Sequence, residues 1–130
     1  MKESAKNIET VLGPINYVNE SVIFLLLNKE MNIDKEDGVN FRNMILSLFQ
    51  DQKFSIIVDA RNYTGNASMD MIQYFTNDEK FNSQCVNQAI IQNSLSIKLI
   101  ANFYIKFVSK PVLAKMFTNY DSALEWMLKN

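Results

Sequence analysis

Asp59 and Arg61, two residues apart at the end of the apolar run FSIIVD, form the first pair in this chain able to do polar chemistry. Ligands of open α/β sheets bind beyond the carboxyl ends of strands. Asn93 and Ser94 close a second apolar run in the same manner, so Asp59, Arg61, Asn93 and Ser94 are a candidate site for a small polar ligand. The same carboxylate and guanidinium can instead pair with each other and cap neighbouring backbone. Ser68 precedes an amphipathic stretch and suits a helix N-cap. It is also a candidate phosphosite or anion site, because helix N-termini favour negative charge. Most other chemistries lack their residues. There is no histidine, which removes imidazole bases, catalytic triads and His-ligated metals. Cys85 is the only cysteine and stands beside Val86, as a small apolar filler would. Gly13, Gly38 and Gly65 are isolated, so no glycine-rich phosphate loop exists. An EF-hand register with Gly38 at its invariant glycine puts Ile33 at the first ligand position, where it cannot ligate calcium. We expect no catalysis, no cofactor and no metal.

Charge distribution gives a sharper signal. Lys80 to Tyr120 holds five lysines and no Asp or Glu. The formal net charge of −1 exerts no general pull toward nucleic acid. Within that stretch Ser94 to Val108 has helical spacing, with Ile97, Leu99, Ile100, Phe103, Tyr104, Phe107 and Val108 over about half the circumference. Lys98, Asn102 and Lys106 form a narrow polar line on the other side, and Lys110 follows. Basic amphipathic helices serve as contact surfaces for anionic lipid or an acidic partner. The plainer reading packs the apolar arc on a sheet and leaves the lysines solvated. Phe103, Tyr104 and Phe107 suit a core, and equally a homodimer interface.

The elements that position these residues can be read from pattern. A chain of 130 residues is the size of one domain, and we expect a single domain over 1–130. Its 48% hydrophobic and 21% charged content is globular rather than disordered. Ile8–Leu12 and Ser21–Leu27 read as strands, with Ile15–Val18 prolonging the first hairpin. Asn32–Gln50 reads as a helix with Phe41, Met44, Ile45, Leu48 and Phe49 on one side. Phe54–Asp59 is a continuous apolar strand and hence a central one. A helix follows Ser68, with Met71, Ile72 and Phe75 inward, and a strand runs over Val86–Gln92. After the lysine-bearing helix, Lys110-Pro111 ends the pattern. Leu113–Phe117 is a short strand, and Thr118 caps a last helix whose apolar side carries Ala123, Leu124, Trp126, Met127 and Leu128. The expected order is ββαβαβαβα, an α/β mixed sheet with four helices. The N-terminus carries no apolar stretch of signal-peptide length, and Val22–Leu27 is too short to span a bilayer. A cytoplasmic protein without a membrane span is expected.

With that order, three segments carry a resemblance: IIVDARN (Ile56 to Asn62), SLSIKLIANFYIKFVSKP (Ser94 to Pro111) and KMFTNYDSALEWML (Lys115 to Leu128). They resemble the STAS fold of sulfate-transporter tails and anti-sigma-factor antagonists, and more closely the small uncharacterised STAS-like proteins common in Bacteroidetes. The resemblance covers the second half well and the first half in outline. Anti-sigma antagonists carry a phosphorylatable Ser in a D-S-x-G motif about ten residues after the Asp that ends the third strand. Ser68 lies nine residues after Asp59, but neither the preceding Asp nor the following Gly is present.

The resemblance implies a non-enzymatic regulatory module that acts on a protein partner or on itself as a homodimer. It would present the start of the Ser68 helix and the lysine-bearing helix. The alternative is a binding module for an apolar or anionic small molecule such as a fatty acyl lipid, which requires an apolar cavity beside the lysine-bearing helix. An enzyme resting on Asp59, Arg61 and the lysines ranks third.

Overall fold

The apolar runs that fail to alternate become the middle of one sheet. The computed structural model describes residues 7–27, 30, 32–107 and 113–129. Its strands are β1 (Ile8–Thr10), β2 (Gly13–Asn19), β3 (Val22–Leu26), β4 (Phe54–Asp59), β5 (Cys85–Ile91) and β6 (Leu113–Phe117). They lie side by side in chain order. The pairs β1–β2 and β2–β3 are antiparallel, whereas β3–β4, β4–β5 and β5–β6 are parallel. β4 is therefore interior, as its apolar run requires, and Phe54, Ser55, Ile56, Ile57 and Asp59 are all buried.

Helices α1 (Lys35–Phe49), α2 (Met69–Asn77), α3 (Glu79–Gln84) and α4 (Leu95–Phe107) connect the parallel strands, and α5 (Tyr120–Lys129) follows β6. Residues of α1 and α3, with Ile97 of α4, share one core with Ile23, Leu25, Phe54 and Ile56. Phe49 stacks on Phe54 with centroids 4.7 Å apart, and Phe54 meets Phe81 edge-on at 5.5 Å. Gly38 allows α2 to approach α1, because a Cβ there would lie 2.9 Å from Met71 Cγ and 3.0 Å from Phe75 Cε2. The opposite sheet face packs Val22, Ile57, Ala89 and Ile91 against Ala123 and Met127 of α5. Among the described residues no helix is long and apolar enough to cross a membrane.

Local hydrogen bonds move several boundaries from those the pattern predicts. Ile8–Leu12 ends as a strand at Thr10, and Ile15–Val18 belongs to a separate full strand, β2. The Thr10 hydroxyl causes both changes: it donates to the Gly13 carbonyl at 2.6 Å and accepts from the Leu12 and Gly13 N–H groups, which closes a tight turn. The first helix begins at Lys35 because Asp34 and Asp37 close a reciprocal capping box. A fifth helix, α3, replaces the expected four. Asp78 nucleates it by accepting from Phe81 N–H while its carboxylate holds Arg42 of α1 at 2.8 Å. Asn119, not Thr118, caps α5, accepting from Ser122 N–H at 2.8 Å. Leu128 faces solvent rather than the core.

Candidate functional site

Four parallel strands deliver their carboxyl ends to one edge of the sheet, and α2 and α4 both start there. Asp59, the last residue of β4, is buried. Its carboxylate accepts from Arg61 Nε at 2.9 Å, from Arg61 Nη2 at 2.8 Å and from the Arg61 backbone N–H at 3.1 Å. Burial works to raise the Asp59 carboxyl; the Arg61 hydrogen bonds and charge together outweigh it and hold the group below its ordinary value of 3.8. The same pairing raises Arg61 above its ordinary value. Two residues of one turn thus satisfy each other, which supports the structural reading over a polar ligand site.

The neighbouring strand β5 pairs with β4 up to Asp59↔Ile91, and Ala60 N–H donates to Ile91 O at 2.9 Å. Asn93 and Ser94 follow at the same edge, both exposed. The Ser94 hydroxyl accepts from Ile97 N–H at 3.2 Å, so it caps α4. Ser68 does the same for α2, accepting from Met71 N–H at 3.1 Å, and its own N–H donates to Ile33 O. Asp59 and Arg61 therefore come together at the carboxyl edge, while Asn93, Ser94 and Ser68 occupy separate helix starts. Cys85 is wholly buried; burial pushes its thiol up to about 12, and it accepts a hydrogen bond from Gln88 at 3.5 Å. Such a thiol is inert.

α4 has two distinct faces. Ile97 and Ala101 are buried against the sheet, and Ile100 and Tyr104 are half-buried on the same side. Burial raises the Tyr104 hydroxyl above its ordinary value, and the Gln88 side chain hydrogen-bonds to it. The sequence places Leu99 and Phe103 in the apolar arc beside Ile97. Instead they turn outward with Leu95: Leu95 is 71% exposed, Leu99 60% and Phe103 37%. Spaced four apart, these three form a stripe along the outer surface, flanked by exposed Lys98, Asn102 and Lys106. The Phe107 side chain and Lys110 lie outside the described residues. Met69, at the start of α2, is also exposed and sits at the same end of the molecule.

Behind α4 lies a feature that reading by pattern does not reveal. A cavity of about 200 Å3 separates the sheet from the helical layer, lined by Val58, Ile90, Met71, Phe75, Ile97 and Ala101 among others. Among the described residues no polar atom faces it. Protein interiors are ordinarily close-packed, so an unfilled apolar space of this size departs from the rest of the core. Its trace in the sequence is small residues, Ala60, Ala67 and Ala101, among those that line it.

Comparisons with known proteins accord with this architecture. A family model described as a domain of unknown function (DUF7793) matches residues 16–130. No curated protein matches the sequence. Among solved structures, an uncharacterised protein of the DUF3478 family with a SpoIIAA-like fold, from Shewanella loihica PV-4, is similar with a TM-score of 0.61. The similarity covers 97% of this chain and 98% of that one at 16% sequence identity. An identity so low speaks for the fold alone, a mixed α/β sheet of SpoIIAA-like, hence STAS-like, type.

Proposed function

The chain belongs to the DUF7793 family and has a SpoIIAA-like fold, and from that premise we propose that it is a non-catalytic interaction module of STAS type. It docks an acidic protein partner on the outer face of α4. One observation carries this reading: the exposed stripe of Leu95, Leu99 and Phe103, bordered by exposed Lys98 and Lys106. An apolar centre with a charged rim is the anatomy of a protein interface. α4 itself brings charge of one sign only, because no Asp or Glu occurs from Lys80 to Tyr120. A symmetric dimer through this stripe would bring the lysines of two copies together without neutralising them. An acidic partner is favoured over a second copy for that reason.

Replacing Lys98 and Lys106 together by Glu tests the proposal. Partner recovered on the immobilised protein should fall roughly ten-fold or more, while the melting temperature changes little, since both residues are exposed. Unchanged recovery would remove α4 as the contact. A sedimenting dimer that Leu99→Glu dissociates would replace the acidic partner with a second copy.

A further inference from the structure

We propose that the space between the sheet and helices α2 and α4 is a binding site for a small uncharged apolar molecule of about eight carbons. The size follows from volume: an engineered apolar cavity of about 150 Å3 holds benzene, and this one is about 200 Å3. The chemistry follows from the walls. Among the described residues three polar side chains, Tyr63, Gln88 and Tyr104, border the space, and each is engaged in a hydrogen bond. The Tyr63 hydroxyl donates to Asn66 O at 3.0 Å, the Gln88 amide donates to Cys85 Sγ, and Gln88 also bonds Tyr104. A carboxylate or ammonium inside would find no partner, and water would find no hydrogen bond.

The two faces of the sheet make the case stronger. On the α5 side Ile57, Ala89 and Ile91 are completely buried. On the α4 side Val58 and Ile90, alternating with them in the same two strands, keep accessible surface although helices cover them. On that face Phe54 and Ile56 are buried, so the looseness is confined to the carboxyl half of the two strands, which indicates space kept for an occupant rather than a generally loose fold. This inference is independent of the docking surface, which lies on the opposite side of α4.

Thermal melts of the whole protein with saturating ethylbenzene or n-octane test it, with sodium octanoate as the charged counterpart. Either hydrocarbon should raise the melting temperature by several degrees, and octanoate should not. Ala101→Leu should fill the space, melt higher than the wild type without ligand and lose the response. Wild-type protein indifferent to both hydrocarbons would overturn the site, and an equal response to octanoate would overturn the uncharged class. Xenon-129 NMR of the wild type provides a second reading that needs no variant. A saturable shift moved by ethylbenzene supports the site, and a shift linear in xenon pressure contradicts it.

Discussion

Arg61→Ala is expected to cost about 2 to 3 kcal/mol at neutral pH, and less as the solution is acidified. Removing one partner of a buried ion pair leaves the other charge uncompensated, typically at about 3 to 5 kcal/mol. Partial exposure of the Arg61 side chain, 34%, lowers that figure through solvent screening. The pH dependence follows from the direction of the Asp59 shift. In the wild type the carboxyl lies below its ordinary value of 3.8, so its contribution is fully present above that value and disappears as pH falls through the folded one. Without the Arg61 guanidinium, burial outweighs the one remaining backbone hydrogen bond from residue 61 and raises the carboxyl. Its ionisation then opposes folding as pH rises. Wild type and variant should therefore differ least in urea melts as pH approaches about 2, where the carboxyl is protonated in both, and most by about pH 7. Arg61→Lys should recover only part of the loss, because an ammonium cannot reproduce the two-pronged contact. A difference independent of pH would mean that the pair does not stabilise this edge.

Gly13→Ala should be at least as damaging, by about 3 kcal/mol or more. Gly13 has φ of 143°, where side chains are strained. A Cβ there would run into the backbone carbonyl oxygen of Leu26 on β3, and backbone cannot swing aside as a side chain can. β2 would have to separate from β3, and the turn holding Leu12 against the cavity would move with it. Chemical denaturation measures the loss. A near-neutral result would show that β2 and β3 do not lie together as described.

What the sequence made legible was decided by periodicity. Phe54–Asp59 announced a central strand because it is apolar without alternation, and the helix faces of Phe41, Ile45 and Phe49 came from their spacing. The Asp59–Arg61 pair was visible because its members are two residues apart. α3 escaped because six residues are too few for a period, and its start depends on Asp78 meeting Arg42, 36 residues away. The exposure of Leu99 and Phe103 was hidden for another reason. A wheel shows which side is apolar, but the breadth of contact depends on where α2 and the sheet lie. The cavity is further removed still, since a void is a property of the gap between elements, and alanines such as Ala60 and Ala101 are as common in filled cores.

The most direct test of α4 as the docking helix is site-specific photocrosslinking in living cells, with a photoreactive amino acid at Leu99 or, as the comparison, at exposed Glu125 on α5 across the sheet. A discrete adduct from position 99, absent from position 125 and abolished by Lys98→Glu with Lys106→Glu, is the predicted result. Equal adducts from both positions, or an adduct at 99 that survives the charge reversal, would contradict it.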